Sequence, residues 1–151
     1  MSVTTASVPP TPPRWTSIVL GLIAFSNIPT GLWAVLSPQG WFDNFPGYAP
    51  RLISAYPPFN EHLSVDAGSG LLTVGVLALA AAFLGRRDAH LVAGAGLVAF
   101  TGPHALYHLL NPSDLLSTGE NASNTIPLVV TALASVAIMV RAVTSNSEVA
   151  L

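Results

Sequence analysis

Residues 60–111 decide the fold, and they read NEHLSVDAGSGLLTVGVLALAAAFLGRRDAHLVAGAGLVAFTGPHALYHLLN. Two long apolar stretches flank the turn sequence Gly-Arg-Arg-Asp at residues 85–88. Each stretch has the roughly 20 residues that an α-helix needs to cross the hydrocarbon core of a bilayer. The segment therefore predicts a helical hairpin that spans a membrane twice.

The composition of the whole chain indicates a membrane protein. Of its 151 residues, 51% are hydrophobic and only 8% are charged, whereas a soluble domain carries about 25% charged residues. The net charge of -2 provides no basic surface for nucleic acid. The sequence has no cysteine, which excludes disulfides, thiolate metal sites and cysteine nucleophiles.

Two further apolar stretches complete the predicted fold, which is all-α: a four-helix transmembrane bundle with an interfacial loop between helices 1 and 2. The spans are expected at about residues 15–36, 60–84, 89–110 and 125–142. They form one domain of residues 15–143. Residues 1–14 are a predicted disordered tail rich in Pro, Ser and Thr, and residues 144–151 are a polar tail.

Arginine placement predicts the orientation of the bundle. Four spans would bring Arg14, Arg86, Arg87 and Arg141 to one end and leave only Arg51 at the other. Cytoplasmic ends of membrane helices carry the excess of basic residues. We therefore expect a multi-pass protein of the cell membrane with both termini in the cytoplasm. Its expected partners are the lipid bilayer and either further copies of itself or a larger membrane complex, without nucleic acid.

Polar residues gather at the end of the hairpin far from its turn. Counted from Arg87, Asp66 lies 21 residues back and His108 lies 21 residues ahead, so antiparallel helices bring them to the same height. With a turn centred two residues earlier, His62 meets His108 and Asp66 meets His104. Either register predicts one cluster near the extracytoplasmic end of the bundle.

The residue types of this cluster favour a transition metal. His104 and His108 share a helix face because they are four residues apart, and His62 and Asp66 repeat that spacing. Together they are the predicted metal ligands for Cu, Fe or Zn. Glu61 and Asp66 are the candidate catalytic groups, Glu61 acting as a base or orienting a ligand. The protein would then be a redox or hydrolytic enzyme, or a metal-handling accessory.

Three other interpretations remain open from the residues alone. Haem, held axially by two histidines on facing helices, is a less favoured cofactor. A buried His–Asp network would instead serve a non-catalytic accessory or structural subunit. An ionisable group such as Asp66 within a span also suits a proton-coupled small carrier. His90, at the opposite end, is predicted to be an interfacial residue with no part in the cluster.

The order of these motifs resembles a known group of proteins. Phe45-Pro46-Gly47, then Asn60-Glu61-His62 with Asp66, then Pro103-His104 and Tyr107-His108 are similar to a pattern in small, uncharacterised four-span integral membrane proteins of actinobacteria. The resemblance covers roughly residues 16–140. It implies the four-span fold and one polar unit of Glu61, His62, Asp66, His104 and His108, without implying an activity. That pattern has a basic residue just before the aspartate, where this chain has Val65.

Overall fold

The computed structural model describes residues 11–144, and every regular element in that range is a helix. The helices are α1 (Arg14–Leu36), α2 (Pro38–Asn44), α3 (Glu61–Leu84), α4 (Arg87–Leu110) and α5 (Thr118–Thr144). All except α2 are long and apolar enough to cross a membrane. The all-α, four-span prediction is confirmed, and the chain is a multi-pass integral membrane protein in contact with lipid. Of the predicted tails, residues 1–10 and 145–151 lie outside the described residues.

The ends of α3 follow the signals in the sequence. Asn60 caps the helix, since its side-chain oxygen accepts a hydrogen bond from the backbone N–H of Leu63 at 3.1 Å. Gly85 ends it in the left-handed conformation, with φ of 58°, which glycine adopts without steric cost. α4 starts at Arg87, so the predicted hairpin turn is present.

α5 starts earlier than the span expected from residue 125. Ser117 and Glu120 form a capping box: the Ser117 backbone N–H donates to Oε2 of Glu120 at 2.8 Å, and the Glu120 N–H donates to the Ser117 hydroxyl at 3.3 Å. This pair starts the helix at Thr118 and places Pro127 inside it. Hydropathy alone misses these first turns because they are polar, and they bring Asn124 into the helix.

The helices pack most extensively in two pairs, α1 with α3 and α4 with α5. In the first pair, a Cβ atom on Gly31 would lie 2.6 Å from the backbone nitrogen of Leu72 and 2.7 Å from the carbonyl oxygen of Gly68. In the second pair, Gly94 lies against the backbone of Met139. Small residues allow such close approach between helices in lipid.

The two pairs meet along α3 and α4, where packing is less extensive. Midway along this seam the ring of Phe100 covers Gly70, and a Cβ atom there would lie 2.7 Å from the ring carbon Cε2. A cavity of about 390 Å³ lies at the α2 end of the seam, and one of about 360 Å³ lies near the α3–α4 turn.

The apolar core fills the half of the bundle nearer the α3–α4 turn. Leu20, Ala78, Leu97 and Ile138 are each at most 1% exposed. Toward the α2 end, a smaller cavity of about 210 Å³ is lined by polar side chains from three helices, among them Asn27, Thr101 and Thr131. The bundle therefore has one apolar half and one partly polar half, and the polar half adjoins the candidate site.

Candidate functional site

The cavity of about 390 Å³ lies where α2 and the connection after it cover the ends of α3 and α4. Its volume is within the range of about 300–1,000 Å³ typical of small-molecule sites. Four aromatic side chains line it: Trp41, Phe42, Tyr56 and Tyr107. His104 and His108 of α4 also line it, whereas its described lining contains no Arg, Asp or Glu. We call this space the histidine cavity.

His108 is held by side chains from two other parts of the chain. Its Nδ1 lies 3.0 Å from the Tyr56 hydroxyl and 3.2 Å from Nδ2 of Asn124. Because Nδ2 of Asn124 faces the ring, and an amide nitrogen can only donate, Nδ1 must accept this hydrogen bond. The proton of the neutral ring then lies on Nε2. His108 therefore offers an N–H donor at the edge of the ring that Tyr56 and Asn124 leave free.

The hydroxyl of Tyr56 stays protonated at neutral pH. Burial raises the pKa of this phenol above its ordinary value of 10.0. The same hydroxyl lies 3.4 Å from the carbonyl oxygen of Asn111, just after α4. Tyr56 thus joins the connection before α3 to the end of α4, and it fixes the His108 ring at a nearly perpendicular angle of 86°.

His104 lies one helical turn before His108 on the same face of α4. Their ring centroids are 5.0 Å apart. The His104 ring also meets Phe100 edge-on, with 6.1 Å between centroids. His104 lines both the histidine cavity and the smaller polar cavity. Within residues 11–144 its side chain makes no hydrogen bond, so its two ring nitrogens are available to a ligand.

Trp41 is a site residue that the sequence analysis did not identify. Its side chain lines the histidine cavity, and the residue is only 6% exposed. Its indole Nε1–H is buried and has no hydrogen-bond partner among the described residues. A buried donor without a partner costs about 1–3 kcal/mol. This nitrogen has less than 1 Å² of accessible surface, so the cavity wall that Trp41 provides is its apolar ring rather than its N–H group.

His62 and Asp66 lie apart from the two histidines of α4. They pair with each other at 3.3 Å, and their side chains are 82% and 60% exposed. The α3 residues that line the histidine cavity include Leu63 and Ala67, and a helix turns about 100° per residue. His62 and Asp66 each precede one of these residues, so they point to another side. The sequence argument matched heights along the helices and left this rotation out.

The predicted four-ligand metal cluster is therefore not formed among residues 11–144. No group of three or more His, Asp or Glu side chains there is arranged to hold a metal ion. Glu61, in the first turn of α3, is also exposed. The structure brings together His104 and His108 and adds Tyr56, Asn124 and Trp41, which come from segments distant in sequence.

His90 is buried inside the bundle, in the first turn of α4. It is 1% exposed, and its Nε2 lies 3.4 Å from the Ser17 hydroxyl of α1. Its Nδ1 has no partner of normal hydrogen-bond geometry, although the ring lies near the Ala81 carbonyl. The signal was present in the sequence, because His90 shares a helical stripe with the buried residues Leu97 and Thr101. It lies at the other end of the bundle from the histidine cavity.

Comparisons with protein-family models, curated proteins and solved structures found no match. The four long apolar helices are consistent with a small four-span membrane protein, and no family is identified.

Proposed function

We propose that this integral membrane protein binds a small, neutral, membrane-soluble molecule in the histidine cavity. The ligand accepts a hydrogen bond from Nε2–H of His108 and makes a second one with a ring nitrogen of His104. These two imidazoles carry this proposal, because they lie 5.0 Å apart on one wall of the cavity and each has a ring nitrogen that no described side chain uses. Polar groups that converge on a largely apolar cavity are typical of small-molecule sites.

The charge of the lining supports a neutral ligand. A bound anion would require a basic side chain, and a bound cation would require a carboxylate, because an unpaired charge in an apolar cavity is costly. The described lining offers neither. The polar groups of its lining residues are hydroxyls, one amide and two imidazoles. These select molecules with carbonyl, ether or hydroxyl oxygens.

The position of the cavity supports access from the bilayer. His104 lies six residues before the end of α4 at Leu110, so the cavity is within about 9 Å of that end of the bundle. Leu63 of α3 and Tyr107 of α4 both line the cavity and are 62% and 53% exposed on the bundle surface. A molecule dissolved in one leaflet reaches the cavity between these two side chains.

We also propose that the cavity faces the extracytoplasmic side, with both termini in the cytoplasm. The support is the arginine distribution: Arg14, Arg87 and Arg141 lie at the end opposite the cavity. Because the chain lacks cysteine, single cysteines report topology directly. A membrane-impermeant maleimide applied to intact cells should label Gly119→Cys and leave Thr144→Cys unlabelled. The reverse pattern would invert the orientation.

A transition metal held by His104 and His108 is the second candidate, favoured by the 5.0 Å separation of their rings on one wall of the cavity. Cu, Fe or Zn would need additional ligands from outside the described cluster, since two imidazoles leave a tetrahedral site half filled. Binding at Nε2 of His108 also requires its proton to move to Nδ1, with the Asn124 amide turned to accept it. Haem is less suited still, because two histidines one turn apart on one helix cannot take opposite axial positions.

The test is chemical analysis of protein purified from its own membranes. Solvent extraction and mass spectrometry should find one organic compound at near-equal molar amount, and His104→Leu should lower its content several-fold. His62→Leu is the matched control, since His62 is exposed and lies outside the described cavity lining. A stoichiometric metal ion that is lost in the double variant His104→Ala/His108→Ala would instead establish the second candidate.

A protein that carries neither a compound nor a metal would overturn both proposals. The hydrogen bonds of Tyr56, His108 and Asn124 would then hold the connection, α4 and α5 together in a non-catalytic accessory subunit. A proton-coupled carrier has less support. The apolar core of Leu20, Leu97 and Ile138 separates the histidine cavity from His90 at the other end.

A further inference from the structure

The outer surface of α3 carries a row of polar side chains at membrane depth. The side chains of His62 and Asp66 are 82% and 60% exposed, and Ser69 and Thr73 are also exposed. Asp66 lies 18 residues before the end of the helix at Leu84. That is about 27 Å along the axis, within the roughly 30 Å thickness of the hydrocarbon core. We call these four polar residues the α3 polar stripe.

The outer surfaces of α1 and α5 carry large apolar side chains instead. Leu22 and Phe25 of α1 are 64% and 80% exposed, and Val130 and Leu133 of α5 are 58% and 65% exposed. An ionisable side chain such as Asp66 is costly in contact with lipid, and such residues almost always face protein or a water-filled cavity. The stripe therefore indicates a surface of α3 that a further transmembrane helix covers.

The spacing of the stripe fits packing against an identical helix. Its members follow one another at intervals of four, three and four residues, and the same alternation continues through three more exposed residues, Val76, Ala80 and Phe83. This is the 3.5-residue spacing of the a and d positions in a left-handed coiled coil. Gly68 and Gly75, which contact α1, lie about 100° away around the helix. The intramolecular packing of α3 against α1 therefore leaves this seam uncovered.

The charged pair of the stripe is complementary to a second copy of itself. Nε2 of His62 lies 3.3 Å from Oδ2 of Asp66 in the same chain. Within residues 11–144, the other ring nitrogen of His62 and the other carboxylate oxygen of Asp66 have no hydrogen-bond partner. With the ring protonated, each chain thus offers one donor and one acceptor, a single helical turn apart. Two parallel copies satisfy both when His62 of each copy donates to Asp66 of the other, and the four groups together carry no net charge.

We propose that the α3 polar stripe is the interface of a parallel, two-fold symmetric homodimer in the membrane. His62 and Asp66 join the two copies in the half of the bilayer nearer the histidine cavity, and the small side chains of Ser69 and Thr73 allow the two helices to approach closely at mid-depth. The α3 residues that line the histidine cavity, such as Leu63, lie outside the stripe. The proposal is therefore independent of the ligand bound in that cavity.

The test is oxidative crosslinking of single-cysteine variants, purified and reconstituted into liposomes at a low ratio of protein to lipid. The sequence has no cysteine, so Ser69→Cys reports on the stripe alone. Leu32→Cys is the matched control, because Leu32 is 41% exposed on α1 and the adjacent Gly31 contacts α3 at Gly68, next to Ser69. Ser69→Cys should form a covalent dimer, and Leu32→Cys should remain a monomer.

Three results would overturn the proposal. They are no dimer from Ser69→Cys, equal dimer yields from the two variants, and a crosslink in native membranes from Ser69→Cys to a different protein in place of the dimer. The last result would assign the stripe to another membrane protein.

A second variant assigns the association to the charged pair. Photobleaching of single labelled molecules at graded lipid dilution measures the dissociation constant of the dimer. Asp66→Leu removes the hydrogen bonds between the copies and should raise that constant about 5–30-fold. Asp114→Leu, at an exposed position in the turn before α5, should leave it unchanged. An unchanged constant in Asp66→Leu would contradict the proposed pairing, and the crosslinking of Ser69→Cys decides the interface even if Asp66→Leu folds poorly.

Discussion

The close approach of α1 and α3 makes Gly31→Ala a measurable test of the packing. The new Cβ atom would lie 2.6 Å from a backbone nitrogen of α3, whereas ordinary contacts start at 3.4 Å. The opposed atoms belong to a helix backbone and cannot turn away as a side chain does. α1 must therefore move outward by about 0.8 Å along much of its contact with α3. Overpacking of this kind costs about 1–3 kcal/mol.

Gly21→Ala in the same helix is the matched control, since nothing lies within 4 Å of a Cβ atom there. Both substitutions gain the same helix propensity of about 1 kcal/mol. The difference between the free energies of unfolding of the two variants therefore isolates the contact between α1 and α3. We expect Gly31→Ala to be less stable than Gly21→Ala by about 1–3 kcal/mol. The measurement is reversible unfolding by SDS in mixed micelles, followed by circular dichroism. Equal midpoints for the two variants would refute the close approach of the helices.

Two further predictions concern the α5 cap and the tyrosine at the cavity. Ser117→Ala removes the capping partner of Glu120 and should destabilise the first turns of α5 by about 1 kcal/mol. Amide hydrogen exchange at residues 118–122 should then be faster than in the control variant Ser123→Ala. Burial raises the pKa of Tyr56, so above pH 10 this tyrosine ionises more readily in the unfolded state, and the free energy of unfolding falls as pH rises toward the folded-state pKa. Tyr56→Phe should reduce that fall at pH above the ordinary tyrosine value of 10.0, and Tyr48→Phe, at an exposed position, should preserve it. A fall that is unchanged in Tyr56→Phe would contradict the shift.

Length and hydropathy predicted the spans because a bilayer imposes both. A helix that crosses it needs about 20 apolar residues, and local turn chemistry at Asn60 and Gly85 marks the ends of α3. The same reasoning placed His104 and His108 at the end of the bundle covered by the interfacial connection. In a bilayer, hydropathy does not tell which face of a helix is buried in the protein. In water, polarity separates the buried face from the exposed one, whereas lipid and protein interior are both apolar.

α3 shows this failure in particular residues. Leu63 is 62% exposed, whereas the adjacent Ser64 is 5% exposed. The buried face of α3 is marked by small side chains, including Gly68 and Gly75, rather than by large apolar ones. A search for small residues at helical spacing would have found the face of α3 that packs against α1, and with it the rotation of the helix. Trp41 had no comparable signal, because its lack of a hydrogen-bond partner depends on how α2 folds over the bundle.

The unequal halves of the bundle also have an electrical consequence. Leu20, Leu97 and Ile138 belong to an apolar layer of low dielectric constant. This layer separates the cavity near the α3–α4 turn from the two cavities and the polar side chains of the other half. A transmembrane voltage falls mainly across the part of lowest dielectric constant. Moving one charge across the whole drop costs about 2.3 kcal/mol per 100 mV. A proton exchanged between His108 and the nearer water crosses only a small part of that drop, so the histidine cavity stays close to the electrical potential of its own side.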